Sequence, residues 1–324
     1  MLEAMFYTKL EHNKVRCDLC PHYCVIQPGD VGICRARKNI DGVLFAKNYG
    51  ETITISIDPM EKKPLYHFHP GKSIISIGSN SCNFSCKFCQ NYHSSQLDVP
   101  TINITPSNLL KQCKTHKCNF VAFTYTEPTT WFEFILDSSK LLKEHEIKTV
   151  MVTNGFINQE PLNELLPYID AMNIDLKAFD EKFYNTICNG SLQPVLNTIR
   201  TAHKKCHVEI TNLIITDKND SEKHIHDLVD FIAEIDIEIP LHFSRYYPTY
   251  KMENPPTSLI TLQKAKEIAE QKLKYVYLGN IVTDRNTYCP NCGNLLILRD
   301  HQMQNNIIDA KCSSCNQTIY GEFL

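Results

Sequence analysis

No stretch of this 324-residue chain approaches the ~20 consecutive apolar residues that a membrane helix requires, and the opening segment MLEAMFYTKLEHNK has no apolar run of the signal-peptide kind. A cytoplasmic protein without a membrane partner is therefore expected. Charge of either sign is not in excess: 33 Lys and Arg face 36 Asp and Glu, so nothing in the bulk composition draws the chain to a phosphate backbone. Low-complexity tracts and long internal repeats are absent, which removes solenoids and disordered linkers. A 43% hydrophobic content is enough to bury one large core plus small appendages.

Cysteine is what the chain has in excess. Fifteen thiols without a secretion signal suit metal ligation in a reducing compartment better than a disulfide framework. Eleven of the fifteen fall into three clusters, and Cys113, Cys118, Cys188 and Cys206 remain as expected small apolar core residues. The first cluster, Cys17, Cys20, Cys24 and Cys34, lies in CDLCPHYC and GDVGIC, so residues 1–50 read as a small metal-stapled module. Its spacing matches no standard zinc pattern, so zinc and an auxiliary iron–sulfur cluster both stand as its metal, with His22 an alternative to one thiolate. The last cluster, Cys289, Cys292, Cys312 and Cys315, forms two CX2C knuckles of zinc-ribbon spacing in residues 286–324, with an auxiliary iron–sulfur cluster as the alternative to zinc.

Between them, residues 51–285 alternate short apolar runs with longer amphipathic ones. The strand candidates are SIISIGS from Ser73, NFVAFTY from Asn119, IKTVMVT from Ile147, DAMNID from Asp170, HVEITNLII from His207 and IPLHFS from Ile239, with YVYLGN from Tyr275 as one more. The segments PSNLLKQCKTHK, TTWFEFILDSSKLLKEHE, PVLNTIRTAHKKC, SEKHIHDLVDFIAEI and SLITLQKAKEIAEQKL read as helices. The expected fold is α/β: a partial (β/α)6 TIM-like barrel carrying an N-terminal four-cysteine module and a C-terminal zinc ribbon. Chemistry in such barrels sits just beyond the carboxyl ends of the strands.

The middle cluster, CNFSCKFC, occupies that position after the first strand. Cys82, Cys86 and Cys89 supply three thiolates where structural zinc and electron-transfer clusters take four, which leaves one iron of a four-iron cluster open to a small molecule. The alternative is a zinc site completed by His93, with His69 a more distant candidate. CX3CX2C with an aromatic residue, Phe88, before its last cysteine resembles the signature of the radical S-adenosylmethionine (SAM) superfamily. That resemblance implies a 4Fe-4S cluster whose open iron is chelated by SAM, reductive cleavage of the sulfonium, and hydrogen abstraction by a 5′-deoxyadenosyl radical. It also implies an electron donor such as a flavodoxin or ferredoxin.

On the same resemblance, Glu127 in TYTEPT is a partner for the methionine amino group and Asn154 in VTNGF a partner for ribose or carboxylate. A helix cap and an Asn-Gly turn are the respective alternatives. Asp175 and Lys177 in NIDLKAF point to one side of an extended chain, like the DLK segment of glycyl-radical activases, and are the catalytic candidates; a solvent-exposed ion pair is the alternative. ITNLII offers adenine packing or plain strand core. His242, Arg245, Tyr246 and Tyr247 are weaker substrate or SAM candidates, and Cys188 a candidate hydrogen-atom donor.

Across nearly the whole chain, CDLCPHYC with GDVGICRAR, DPMEKKPLYHFHPG, CNFSCKFCQN, FTYTEPTTW, MVTNGFI, MNIDLKAF, IPLHFSRYYPTYKM and NTYCPNCG resemble the radical SAM enzymes of the AmmeMemoRadiSam system. The resemblance implies two partners, an Ammecr-type protein and a Memo-like protein. The flanking metal modules suggest a macromolecular substrate, protein or RNA. A glycyl-radical-enzyme activase similar to pyruvate formate-lyase activating enzyme, and a non-catalytic zinc or RNA-binding scaffold, are the competing functions.

Overall fold

The computed structural model describes residues 1–300 and 303–323. Its centre is a sheet in which each strand pairs with the next in chain order. Seven are parallel: β1 (Ser73–Gly78), β2 (Phe120–Phe123), β3 (Lys148–Thr153), β4 (Ala171–Asp175), β5 (His207–Ile214), β6 (Leu241–Arg245) and β7 (Val276–Gly279). The YVYLGN run thus adds a seventh strand. An eighth, Thr54–Pro59, pairs antiparallel with β1 and was not among the sequence candidates; it forms one edge and β7 the other, so the barrel stays open. All six βα crossovers bury the sheet, and β2 is buried at every position, as parallel strands covered on both faces must be.

The helices begin where their caps place them. Thr105 and Asn108 form a capping box before α1 (Pro106–His116), with Pro106 at the first helical position. Phe132–Glu144 is α2, Gln159–Leu165 is α3, and Leu192–Ala202 is α4. Serine hydroxyls at Ser221 and Ser258 cap α5 (Glu222–Ile235) and α6 (Leu259–Glu270). The short α3 carries a Pro and too few turns to show a period, which is why the sequence did not announce it.

Residues 1–50 fold as two small three-stranded antiparallel sheets. Ala4, Val15, Leu19, Ile26 and Leu44 join the same apolar cluster as the barrel core, so this module leans on the barrel for its burial. Arg37 and Glu133 tie it to α2 through a buried ion pair of 2.8 Å.

The C-terminal segment packs at the other end, against the amino ends of the strands. It has a separate apolar cluster with Tyr66, Tyr275 and Tyr277 at its base. Glu322 meets Lys148 at the start of β3 at 2.8 Å and His69 at 3.3 Å, and the Tyr320 hydroxyl accepts from the Val208 amide at the start of β5. His67 is fully buried in this seam: its Nδ1 donates to the Tyr320 carbonyl and its Nε2 accepts from the Tyr277 hydroxyl, each at 2.7 Å. Burial pushes the His67 pKa down from 6.5 to about 3. A folded-state pKa below the unfolded one stabilises above the unfolded value, and that stabilisation is lost as pH falls from about 6.5 towards 3. Denaturation at about pH 7 and about pH 5 should show a loss of about 2 kcal/mol that is missing in His67→Gln. Equal pH dependence in both proteins would exclude this assignment.

Candidate functional site

The loop that follows β1 is held from every side. At its root, a Cβ on Gly78 would stand 2.2 Å from the Thr124 carbonyl oxygen, so only glycine lets β1 and the end of β2 approach this closely. Thr126 Oγ1 donates to the Ser79 carbonyl at 2.6 Å, and Ser81 and Thr130 share a hydroxyl hydrogen bond at 2.5 Å. Further along, the Ser85 and Lys87 amides donate to the carbonyls of Cys188 and Ile187 at 2.9 and 3.0 Å. Those carbonyls are free because they close the π-helix Tyr184–Cys188, whose last carbonyls have no partner within it. Phe84 lies over Gly190, where a Cβ would come within 2.2 Å of its ring, and it packs on Phe156 at 4.9 Å. Gly190→Ala should therefore cost about 1–3 kcal/mol by overpacking and lower the metal content of the Cys82 loop, read by denaturation and iron analysis.

Three thiols project from this scaffold. Burial pushes the Cys82 thiol well up, and the Glu127 charge adds to it. The Cys86 thiol is lowered, chiefly by a hydrogen bond from Cys188 and against its own burial. Burial raises Cys89 as well, and its Sγ lies 3.2 Å from Ser95 Oγ. His93 is exposed, and His69 sits at the opposite end of the barrel against Glu322. Cys188 is fully buried behind Cys86, away from the mouth.

The neighbouring strand ends supply the other candidates. Glu127 is buried, and its carboxylate accepts from Thr129 N at 2.9 Å, Thr153 Oγ1 at 2.6 Å and Asn154 N at 2.8 Å. It caps the 3-10 turn Pro128–Trp131, the structural role weighed against SAM contact, and of about four acceptor positions one remains for a ligand. Asn154 donates from Nδ2 to Asn83 Oδ1 at 2.8 Å, and its Oδ1 accepts from Phe156 N at 2.8 Å, so its amide braces the cysteine loop. Asp175 and Lys177 form an ion pair of 2.6 Å, part-buried, with the Lys177 ammonium 6.0 Å from the Phe88 ring centre. Burial works against the Lys177 charge, but Asp175 outweighs it and holds the ammonium above its ordinary range. This pair faces the cysteine loop rather than open solvent.

A family model described as the radical SAM superfamily matches residues 76–232, the span from the middle of β1 through most of α5. The chain belongs to the radical SAM superfamily. It is 44% identical over 332 aligned positions to uncharacterized protein MJ0808 of Methanocaldococcus jannaschii, covering 98% of this chain and 99% of that one. It is 26% identical over 161 positions to the pyruvate formate-lyase-activating enzyme of Clostridium pasteurianum, covering 48% of this chain and 67% of that one. A radical SAM methyltransferase from Sphaerobacter thermophilus has the same fold, with a TM-score of 0.53 at 14% identity over 70% of this chain and 71% of that one.

As a radical SAM enzyme, the chain generates a 5′-deoxyadenosyl radical from SAM at a 4Fe-4S cluster. The donor set fits that group. Cys82 feels the charge of both Cys86 and Cys89, yet the three are not drawn to single-ion spacing. Among the described residues, the one group of three or more Cys, His, Asp or Glu ligand atoms within 4.8 Å of one another is Cys289, Cys292, Cys312 and Cys315. There the Cys289–Cys315 and Cys292–Cys312 sulfurs stand 3.6 and 3.7 Å apart. Tetrahedral zinc with Zn–S bonds of about 2.3 Å requires about 3.8 Å. The ribbon thus has the geometry of one ion, while thiolates bound to separate irons of a cubane must stand wider.

The remaining sequence candidates lie elsewhere. His242 Nε2 donates to Glu209 at 2.6 Å inside the barrel. Arg245 donates to the Thr257 carbonyl, and Tyr246 is buried with its hydroxyl on the Met252 carbonyl. Backbone carbonyls accept from both. Sequence reasoning missed Asn83, which donates to the Phe156 carbonyl, accepts from Asn154, and presents its own carbonyl to His22 Nε2 at 2.7 Å. Its position inside the cysteine motif was the available signal.

Proposed function

We propose that the radical formed beside Cys86 and Phe88 takes hydrogen from a substrate held over the Asp175–Lys177 pair, and that the chain acts with an Ammecr-type and a Memo-like protein. The ion pair carries the first half of this reading. It is a charged group that faces the cysteine loop, and its Lys177 ammonium offers donors to a polar substrate while Asp175 fixes its direction.

The second half is supported by how the motif segments meet. His22 of CDLCPHYC reaches Asn83 of CNFSCKFC, which is braced by Asn154 of MVTNGFI. At the other end, the Tyr66 and His67 amides of PLYHFHPG and His242 of IPLHFS converge on the Glu209 carboxylate. Segments far apart in the chain that resemble one family form two contiguous polar networks.

The ribbon stands at the amino ends of the strands, so a macromolecule gripped there would not reach the mouth directly; substrate delivery by the partners fits this placement. The test is anaerobic SAM cleavage by the reconstituted chain, alone and with each partner. A rise of about tenfold or more in 5′-deoxyadenosine, with a mass change in a partner or a molecule it carries, is expected. An activase reading has support from the pyruvate formate-lyase-activating relative, and a stable glycyl radical on a third protein with no partner effect would replace the proposal. Intact SAM throughout would favour the scaffold.

A further inference from the structure

The four cysteines of the N-terminal module do not form a second ribbon-like knuckle. Cys17 ends the strand Val15–Cys17, Cys20 and Cys24 flank the turn at Tyr23, and Cys34 precedes the strand Arg37–Ile40. All four thiols are unpaired. They line one pocket, whose wall on the barrel side includes Thr129 and on the module side Arg37. Backbone amides of Leu19, His22 and Ala36 are directed at the sulfurs of Cys17, Cys20 and Cys34.

The sulfur spacing separates this pocket from a zinc site, and a buried donor in its wall calls for an anion. The thiols are spread around a hollow, outside the 4.8 Å spacing that the ribbon cysteines keep. A single tetrahedral ion would draw them to about 3.8 Å. The pocket wall also holds a buried donor that no protein atom satisfies, Arg37 Nε, although Arg37 is 0% exposed. The other Arg37 nitrogens are used by Met5 and Glu133. An orphaned guanidinium nitrogen in a pocket of thiols asks for an anionic group with acceptors of its own. A cubane with bridging sulfides and four thiolates is such a group.

We propose that Cys17, Cys20, Cys24 and Cys34 hold a second iron–sulfur cluster, of the 4Fe-4S class, with Arg37 as its side-chain hydrogen-bond donor. The wall it shares with Asn83 and Thr129 places it next to the Cys82 loop and the Glu127 turn. This assignment is independent of what the radical site acts on.

The test uses the full chain, reconstituted anaerobically with ferrous iron and sulfide. The triple variant Cys82→Ala, Cys86→Ala, Cys89→Ala should keep roughly half of the wild-type iron and sulfide, with an EPR signal on reduction that does not respond to SAM. The double variant Cys20→Ala, Cys34→Ala should lose that half and keep the SAM-sensitive signal. An iron-free triple variant, with a second equivalent of zinc beside that of the ribbon, would overturn the proposal. Should the double variant fail to fold, iron in the wild-type chain decides: about eight atoms support the second cluster and about four exclude it. Because iron is counted without reference to turnover, a protein that fails to cleave SAM still gives an answer.

Discussion

Alanine at Cys82, Cys86 or Cys89 is expected to lower 5′-deoxyadenosine formation below detection, by more than about 10³-fold, and each single variant should be as inactive as the triple one. The reason is that the three thiolates act as one unit. The loop geometry leaves no substitute ligand: His93 is exposed, Cys188 is bonded behind Cys86, and Asn83 and Asn154 are committed to bracing. Losing one thiolate leaves a four-iron cluster with two protein ligands, and an incomplete ligand set costs cluster binding before it affects any chemical step. A control is Cys206→Ala, whose thiol lies against the Ala202 carbonyl outside the site and whose removal should leave the rate unchanged. Retained SAM cleavage in all three single variants would remove the Cys82 loop from the mechanism.

Glu209→Ala should destabilise the protein by about 3–5 kcal/mol. Glu209 is fully buried in the barrel, and its two oxygens accept from His207 Nε2 at 3.0 Å, His242 Nε2 at 2.6 Å, Tyr66 N at 3.0 Å and His67 N at 2.7 Å. Burial alone would raise its pKa, but the histidine hydrogen bonds outweigh it and hold the carboxylate below its ordinary range. Truncation leaves four buried donors without an acceptor, which even at about 1 kcal/mol each is a large share of a domain's stability. Glu209→Gln keeps the shape and two of the acceptor positions, and should cost roughly half as much. Urea denaturation of the three proteins measures this. An Ala variant within about 1 kcal/mol of wild type would show that the carboxylate does not hold the plug segment 64–69 to the strands.

Glu209 also shows why part of the structure was hidden. In HVEITNLII it is one of four polar residues, and apart from His207 its partners lie 33 and about 140 residues away. Nothing local marks such a residue, because its environment is assembled by strand pairing and by the segment that closes the amino end of the barrel. The π-helix Tyr184–Cys188 was hidden for a similar reason: its extra residue is stabilised by the carbonyls it gives to the cysteine loop, a contact made about 100 residues away. Glu127 and Asn154 were visible as candidates, but their dominant bonds are to the turns and the loop around them, which the Glu-Pro and Asn-Gly dipeptides had already suggested.

What the sequence determined by itself was everything written in short-range spacing. The CX3CX2C loop after a strand, the CX2C pairs of the ribbon, the βα alternation and most helix starts follow from ligand geometry, the two backbone periods and capping, all of which act within a few residues. Only the tertiary structure decided which end of the barrel each cysteine module covers, and how far apart its sulfurs stand. Cys289 and Cys315 are 26 positions apart in the chain and 3.6 Å apart in space, while the equally cysteine-rich N-terminal segment keeps its thiols spread around a hollow. That difference comes from packing: the ribbon folds two knuckles onto each other, whereas the N-terminal hairpins are held open against the barrel by Arg37, Glu133 and the shared core.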